Sequence, residues 1–297
     1  MPVSAEHSLP SVSTIVTAFN AANTIERAVA SAVEQEYGGD HRVIVIDDGS
    51  TDATAAVVRG LEHPNLTFIS VEHVGRARAL NYALAEAEGS ELIANLDADD
   101  VMLPGRIGRQ SVAFAQNTAL GVLGSAYYEV HFESNVDAVP SGAFLVAPPR
   151  SNLELRRLMA QSFAICHSCA TYRRSAAFDV GLFDESLRSR IDFDLWLRMV
   201  TSGWQIENLS DVLGVHLKAS GTSFDRRFSP LRSAMEMARL NFGAAKNLGL
   251  GSRGYLVALL RFGYSLSRRT SVKAVPRFSE KVPVETISQF LENPRGN

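Results

Sequence analysis

The strongest constraint on the fold comes from the first hundred residues. There, apolar runs that are typical of strands alternate with segments whose apolar residues have helical spacing. Segments 24–36, 52–61 and 75–87 carry apolar residues at helical spacing. Each lies between two of the four apolar runs that are typical of buried strands: VSTIVTAF, RVIVIDD, LTFISVE and ELIANLD. Strands that alternate with helices indicate a sheet covered by helices on both faces. We therefore predict an α/β fold with a mainly parallel central sheet flanked by helices.

Polar residues stand where three of these strands end. They are Thr17 and Asn20 after the first strand, Asp47 and Asp48 after the second, and Asp97, Asp99 and Asp100 after the fourth. Ligands of such sheets bind beyond the carboxyl ends of the strands, so we expect these side chains to converge on one rim. No G-x-G-x-x-G motif follows the first strand, which disfavours a dinucleotide site of the Rossmann type.

The stretch NLDADD places three of these aspartates within four positions. Like charges so close together repel and raise each other's pKa values, so folding alone does not explain them. Mg²⁺ and Mn²⁺ prefer carboxylate oxygens and bridge proteins to diphosphates. On an extended D-x-D both side chains point to the same side, which makes Asp97 and Asp99 candidate metal ligands. The alternative is an acidic turn in which Asp100 caps the next helix.

Two further aspartates have both a functional and a structural interpretation. Asp48, in VIDDGSTD, can accept a hydrogen bond from a nucleobase N–H, or the motif is a plain turn in which Ser50 or Thr51 caps a helix. Asp192, in SRIDFDLWLRM, stands at a helix start, where the helix dipole favours an anion. It is either the cap of that helix or a general base that takes the proton of an attacking hydroxyl.

Charge, cysteine content and hydropathy exclude several classes. A net charge of −3 gives no indication of nucleic-acid binding. Cys166 and Cys169 are too few for an ordinary structural zinc site, and we expect free thiols in a reducing cytoplasm. The N-terminal residues lack the pattern of a signal peptide, and the apolar segment 254–266 is too short for a membrane span. A cytoplasmic location is therefore expected.

Taken together, the motifs resemble those of the family 2 inverting glycosyltransferases, which have the A-type glycosyltransferase fold. The resemblance covers about residues 10–220. The motifs that carry it occur in the family's order: VSTIVTAFNAANTIERAVASAVEQ, VIVIDDGSTD, GRARALNYAL, ELIANLDADDVMLPGRI, CHSCATYRRSAAFDVGLFDE and IDFDLWLRM.

The resemblance implies a role for each matching residue. Thr17 and Asp48 would contact the nucleotide base, Asn20 would lie in the adjoining turn, and Arg76 or Arg78 would contact the donor. Asp97 would lie near the ribose and the metal, Asp99 would bind Mn²⁺ or Mg²⁺ directly, and Asp192 would be the catalytic base. The implied reaction transfers a sugar, with inversion, from a nucleoside diphosphate sugar to a hydroxyl of a glycan, a lipid-linked or a small-molecule acceptor.

Two departures from the family pattern affect the acceptor side. Ile191 stands where the family often has a glutamate that positions the acceptor. The residues after VLGVH also depart from the family's motif. His216 can approach the metal or the phosphates, but packing is the favoured interpretation for it. The same holds for His167 and Cys169, which we expect on a strand near the acceptor cleft.

The resemblance also suggests how the chain is divided. We expect a catalytic domain over residues 1–225, with a nucleotide-binding half (10–104) and an acceptor-side half (105–225). A C-terminal helical extension and tail would follow over 226–297. Within the acceptor-side half we expect an irregular segment at 133–152, an extended segment at 164–172, and two short strands at WQIENL and VLGVHL.

The C-terminal extension carries the basic residues Arg261, Arg268, Arg269 and Lys273. Packing against the catalytic domain is the favoured interpretation. A lid, a homodimer contact, or peripheral contact with the cytoplasmic face of an anionic membrane are the alternatives. Two other functions also stay open. One is a non-catalytic nucleotide-sugar-binding or scaffold protein. The other is a nucleotidylyltransferase, which AFNAANT disfavours because it lacks a glycine and a basic residue.

Overall fold

The computed structural model describes residues 9–133, 138–162, 165–219, 230–267 and 277–292. Its strands are β1 (Val12–Ala18), β2 (His41–Asp48), β3 (Leu66–Val71), β4 (Leu92–Asp97), β5 (Val101–Met102), β6 (Leu120–Phe132), β7 (Pro140–Val146), β8 (Thr171–Arg173), β9 (Gln205–Ala219) and β10 (Ser279–Val282). Its helices are α1 (Ile25–Val33), α2 (Thr54–Arg59), α3 (Arg76–Glu86), α4 (Arg106–Gln116), α5 (Asn152–Leu158), α6 (Arg174–Asp179), α7 (Ile191–Thr201), α8 (Pro230–Asn247), α9 (Gly251–Ser267) and α10 (Glu285–Glu292). A 3-10 turn covers His167–Cys169.

The described strands form one sheet in the order β10-β7-β6-β8-β4-β1-β2-β3, with β9 beside β6 and β5 beside β9. Strands β4, β1, β2 and β3 run parallel, whereas β8 is antiparallel to both β4 and β6. The predicted α/β fold is confirmed, with a mixed sheet around a parallel core. Parallel strands end at the same edge, so the polar residues after β1, β2 and β4 share one rim.

The parallel strands are buried because helices cover both faces of the sheet. Ile15 and Val16, which are neighbours on β1, belong to different hydrophobic clusters, as the alternation of side chains along a strand requires. Val16 packs in the cluster of α1, and Ile15 packs in the cluster of α3. β3 is only partly buried and lies at the edge of the sheet.

The acceptor-side half is more regular than the sequence predicted. β7 lies inside the segment 133–152 that was expected to be irregular. VLGVHL and all of WQIENL except Trp204 belong to the single strand β9. The segment 164–172 is extended only near its end, where β8 begins, because the 3-10 turn precedes it. Residues 134–137 and 163–164 are outside the described part of the chain.

The predicted cap of α2 was wrong. Neither Ser50 nor Thr51 caps α2. Both contact Asn20 instead, since the Asn20 N–H donates to Ser50 Oγ at 2.9 Å and Asn20 Oδ1 accepts from the Thr51 N–H at 2.8 Å. These contacts tie the loop after β1 to the loop after β2.

The C-terminal elements pack against the sheet domain. α8 contributes Met237 and Leu240 to the cluster that contains α7, β10 pairs antiparallel with β7, and Ile287 of α10 is fully buried. Residues 220–229, where the predicted domain boundary falls, and Arg268, Arg269 and Lys273 lie outside the described residues, so the domain division stays a prediction. Among the described helices, none has the length and apolar content needed to cross a bilayer.

Candidate active site

Three carboxylates cluster where β4 ends. Asp97 is the last residue of β4, and Asp99 and Asp100 lie in the turn that leads to β5. One oxygen from each of the three lies within 4.8 Å of the other two. The turn is held by backbone contacts, since the Asp100 N–H donates to Asp97 O at 3.1 Å and the Asp97 N–H donates to Ser168 Oγ at 3.0 Å. The predicted metal ligands, Asp97 and Asp99, are therefore neighbours, with Asp100 beside them.

The three carboxylates differ in their partners. Asp100 is fully buried and accepts from the Leu217 N–H at 2.8 Å, and His216 Nδ1 lies 2.9 Å from its Oδ2. Asp97 Oδ1 accepts from Arg76 Nη2. Asp99 is exposed, and its carboxylate accepts no hydrogen bond from another residue in the described part of the chain. Asp99 is thus the carboxylate best placed to bind a ligand from solvent.

The local charges explain why these carboxylates titrate differently. Although Asp99 as a residue is exposed, partial desolvation of its carboxylate within the cluster, with the charges of Asp100 and Asp97, raises its pKa to about 7. Burial would raise the pKa of Asp97 as well, but the Arg76 guanidinium holds it below its ordinary value. Three crowded carboxylates of which one is poorly stabilised form a donor set that suits a hard divalent cation. The residues present therefore fit Mn²⁺ or Mg²⁺.

Arg76 links this cluster to the predicted catalytic base. It is the first residue of α3, after Gly75, whose φ of 91° lies in the region open to glycine. Burial alone would lower the pKa of Arg76, but four carboxylates raise it: Asp97, Asp192, Asp99 and Asp100. The same electrostatic neighbourhood thus contains Asp192 and the three aspartates after β4.

Asp192 lies in the first turn of α7 and is not its cap, because the residue before the helix is Arg190. Its Oδ1 accepts from the Phe193 N–H at 2.8 Å, and its Oδ2 lies 3.8 Å from His167 Nδ1. About 18% of the Asp192 side chain is exposed, so its carboxylate is accessible and oriented by backbone. This arrangement suits a proton acceptor at the edge of a cleft.

His167 lies between the two acidic groups. Its Nε2 is 3.8 Å from Asp97 Oδ1, and its Nδ1 is 3.8 Å from Asp192 Oδ2. The ring is buried, as expected from packing, but it stands on the 3-10 turn and not on a strand. Burial lowers the pKa of His167 despite the nearby carboxylates, so the neutral imidazole is favoured. This contact with both carboxylates was not predicted from the sequence.

A buried polar network holds the 3-10 turn in place. Arg106 is fully buried, donates to the carbonyls of Ser168 and Ala170, and donates from Nε to Gln110 Oε1 at 2.9 Å. Gln110 in turn donates to Cys169 O at 2.9 Å. The only sequence signal for this network was an arginine and a glutamine four residues apart on α4, one turn of helix. Cys166 and Cys169 are free thiols, as predicted.

The other predicted donor residues lie along the rim at the ends of β1 and β2. Thr17 pairs in register with Asp97 of β4, which places it directly beside the acidic cluster. Asp48 is buried, and its Oδ1 accepts from the Val74 N–H at 2.7 Å, so part of its hydrogen-bonding capacity is already used. The rings of Phe19 and His73 stack nearby at 4.4 Å, and His73 Nδ1 lies 3.1 Å from Asp48 Oδ2.

Arg78 lies apart from the acidic cluster. Its Nε donates to Glu185 Oε2 at 2.8 Å, and the groups that raise its pKa are Glu185 and Tyr82, not the aspartates. Of the two arginines proposed from the sequence, the structure brings Arg76 to the candidate site. His216, for which packing was expected, is paired with Asp100.

Comparison with known proteins gives an independent view of the chain. The sequence model of the family described as glycosyl transferase family 2 matches residues 13–181, more than half of the 297 residues. The amylovoran biosynthesis glycosyltransferase AmsE of Erwinia amylovora is 25% identical over 263 residues, 86% of this chain and 92% of that protein. The succinoglycan biosynthesis protein ExoU of Rhizobium meliloti is 46% identical over 98 residues, 32% of this chain and 28% of that protein.

An uncharacterized glycosyltransferase of Rickettsia typhi is 29% identical over 196 residues, and the match spans 64% of this chain and 59% of the relative's length. Among solved structures, S. aureus TarS 1-349 in complex with UDP-GlcNAc has a TM-score of 0.64 at 24% identity, covering 89% of this chain and 76% of that one. The mannosyltransferase PcManGT from Pyrobaculum calidifontis, in complex with GDP-Man and Mn²⁺, has a TM-score of 0.59 at 21% identity, covering 97% and 83%.

At these identities the structural likeness shows the fold alone, and that fold is the A-type glycosyltransferase fold. The family follows from the sequence match, which includes β1, β4 and the acidic cluster. The chain belongs to glycosyl transferase family 2.

Proposed function

We propose that this chain transfers a sugar from a nucleoside diphosphate sugar to an acceptor hydroxyl, with inversion at the anomeric carbon and with dependence on Mn²⁺ or Mg²⁺. The observation that carries the proposal is the placement of Asp192 and the acidic cluster after β4 around one arginine, Arg76, and one histidine, His167. A donor diphosphate and an acceptor hydroxyl must meet at such a site for direct transfer.

The donor would lie along the rim formed by β1, β2 and β4. Thr17, Asn20 and Asp48 are proposed to contact the nucleoside, and the stack of Phe19 on His73 offers a flat apolar surface beside it. Arg76 would contact the donor near Asp97. The proposal of a nucleotide sugar is supported by two proteins of the same fold, whose complexes contain UDP-GlcNAc in one case and GDP-Man with Mn²⁺ in the other.

Asp99 and Asp97 are the residues that would hold the metal. A divalent cation bound there would neutralise negative charge on the leaving diphosphate. Arg76 would add a fixed positive charge on the same side, since it already donates to Asp97. Asp100 is proposed to support the turn and not to bind metal, because its buried carboxylate is occupied by His216 and Leu217.

Asp192 would accept the proton of the acceptor hydroxyl as that oxygen attacks the anomeric carbon from the face opposite the diphosphate. A single displacement of this kind inverts the anomeric configuration and needs no covalent enzyme intermediate. The Phe193 N–H holds Asp192 Oδ1, so Oδ2 is the oxygen left to face the acceptor.

The acceptor is proposed to be a glycan. AmsE and ExoU are named for amylovoran and succinoglycan biosynthesis. A further relative, the chondroitin synthase of Pasteurella multocida, is 29% identical over 199 residues, 66% of this chain and 20% of that protein. A lipid-linked glycan or a small molecule fits the same chemistry. Ile191 is buried and carries no polar group, so the acceptor must be positioned by other residues than in relatives with glutamate there.

Ile191 also supports a second candidate, a nucleotide-sugar-binding protein without catalysis. Two measurements distinguish these functions: nucleotide binding, and then enzymatic turnover. Thermal unfolding would be measured with UDP, dTDP and GDP, each with and without Mn²⁺, for the wild type, Asp99→Ala and Asp211→Ala. Asp211 is an exposed aspartate paired with Arg109 and serves as the matched control.

We expect one nucleotide to stabilise the wild type and Asp211→Ala by about 2.7 kcal/mol when the ligand is near 100 times its Kd and Mn²⁺ is present. Asp99→Ala should lose the part of this shift that depends on Mn²⁺. No shift with any nucleotide would refute donor binding. Asp192→Asn should bind nucleotide normally but lose turnover, with Asp194→Asn, in the same helix, as control. Nucleotide binding without turnover by the wild type would favour the non-catalytic function. Turnover that persists in Asp192→Asn would contradict its role as the base. The anomeric signal of the product by NMR would report inversion.

A further inference from the structure

Helix α9 presents an apolar face that is largely exposed in the described part of the chain, with Tyr255 and Tyr264 at its borders in contact with neighbouring side chains. The side chains on this face are about half exposed or more: Tyr255 43%, Leu256 56%, Leu259 56%, Leu260 65% and Tyr264 46%. They recur at helical spacing along three turns, and Gly263 on the same face is also exposed. Isolated exposed apolar residues are ordinary, but a continuous row of five large ones marks an interaction surface.

The orientation of α9 is set by its opposite face. Gly254 and Ala258 are buried, and a Cβ added at Gly254 would lie 3.3 Å from Ala245 Cβ of α8. Small residues therefore let α9 pack closely on α8, and the large apolar residues are left outside. The ring of Phe242 lies 6.4 Å from that of Tyr255, which fixes the register of the two helices.

α8 carries exposed apolar side chains of its own. A short connection joins α8 to α9, and the two helices pack against each other as a hairpin. Leu231 and Met235, which are 56% and 58% exposed, stand at the start of α8.

The charge on α8 and α9 is mainly positive. Residues 230–267 contain five lysines and arginines and one acidic residue, Glu236, although the whole chain has a net charge of −3. Arg239, Lys246 and Arg253 belong to this set and are exposed on the two helices. The remainder of the chain is therefore acidic, and the helix hairpin is a basic, apolar surface on an acidic protein.

We propose that α8 and α9 bind an anionic membrane surface, with the exposed face of α9 lying flat in the headgroup region. Surface helices of this kind bury large apolar side chains among lipids while cations contact anionic headgroups. No described helix is suited to span a bilayer, which agrees with a helix that lies on the membrane. A symmetric contact with a second copy would instead bring two basic surfaces together, and their repulsion disfavours it.

Vesicle flotation of the full chain tests this proposal. The vesicles would be phosphatidylcholine alone, or phosphatidylcholine with phosphatidylglycerol as the anionic lipid. Leu256→Glu with Leu260→Glu places two carboxylates on the exposed face. The control is Val139→Glu with Leu153→Glu, two exposed apolar residues elsewhere that are 86% and 57% exposed. Both double variants change the net charge equally, and all four positions are exposed, so folding should be retained.

We expect the wild type and the control to float with the anionic vesicles and not with phosphatidylcholine alone. High salt should weaken binding, because it screens the headgroup charge. The variant on α9 should bind at least about tenfold more weakly, since two charges must be removed from the lipid interface. Wild-type protein that does not float, or an α9 variant that floats equally, overturns the proposal. So does a dimeric wild type that becomes monomeric in the α9 variant, since a second copy would then cover the face. These outcomes do not depend on sugar transfer.

Discussion

At the scale of single residues, the candidate site depends on two side chains that lie beside both acidic groups. The two ring nitrogens of His167 lie 3.8 Å from Asp97 and Asp192, beyond hydrogen-bond distance, and the one N–H of a neutral imidazole can approach only one of them at a time. Arg76 carries a fixed charge and can interact with both. Arg76 and His167 therefore link the Asp97 carboxylate, on the metal side, to Asp192, the proposed base.

His167→Phe should therefore lower kcat by about 10- to 100-fold, which is the usual range for changing a residue that supports a metal ligand from outside its coordination shell. The KM for the donor should change little, because the proposed nucleoside contacts are on β1 and β2. His167→Gln, which keeps an N–H and an acceptor, should recover part of kcat. Steady-state kinetics of both variants provides the check. Equal losses in the two variants, or an effect confined to KM, would contradict this role.

Much of the residue-level site could be predicted from motifs alone. The three aspartates after β4, Thr17 beside them, and Asp192 at a helix start all have the expected placement. The choice between Arg76 and Arg78 could not be made, because residues two apart on a helix point about 200° away from each other and the register of the helix decides which one faces the site. His167 was missed because its contacts join three segments that are distant in sequence.

At the scale of elements, the 3-10 turn that carries His167 shows where local sequence fails. Its residues resemble a strand, and the extended segment was predicted on that basis. The turn is held by Arg106 and Gln110 of α4, whose donors reach its carbonyls across the core. Such tertiary hydrogen bonds override local preference, and no periodicity in the sequence reports them.

Gly214 of β9 provides a test of how tightly that turn is packed. A Cβ at Gly214 would lie 2.5 Å from Cys169 Sγ, the last residue of the turn. We expect Gly214→Ala to lower the free energy of unfolding by about 1–3 kcal/mol, as overpacking of a core commonly does. Gly142→Ala is the matched control, because a Cβ there meets only a Phe144 ring carbon at 3.7 Å. Chemical denaturation measures the stability of both variants. Equal stabilities would show that the turn can shift to accommodate the added methyl group.

At the scale of the whole molecule, the C-terminal elements are part of the same core as the acidic rim. Ile287 of α10 belongs to one buried cluster with Val101 and Leu103, which follow Asp100 directly. The sequence predicted this region as an extension and tail, since the pairing of β10 with β7 joins segments more than a hundred residues apart. The parallel core, by contrast, was predicted well because its signals are local alternation and helix periodicity.

The stability of the whole fold should depend on pH through His41, the first residue of β2. His41 is buried, and its Nε2 lies 2.9 Å from Thr14 Oγ1. Burial lowers the pKa of His41 from 6.5 to about 4, with His63 and Arg106 acting in the same direction and Asp40 against it. Between these two values the unfolded chain binds a proton that the folded chain does not. Stability from the neutral ring is therefore complete above pH 6.5 and is lost as the pH falls towards 4.

The expected loss is on the order of 2–3 kcal/mol between these pH values, since one pKa unit corresponds to about 1.4 kcal/mol. Denaturant unfolding of the wild type and of His41→Gln at half-unit pH steps would measure it. The difference between the two profiles isolates His41, because all other titrating groups are common to both proteins. That difference should shrink as the pH falls from 6.5 to 4, as the wild type loses its advantage. A difference that stays constant with pH would mean that folding does not hold His41 in its neutral form.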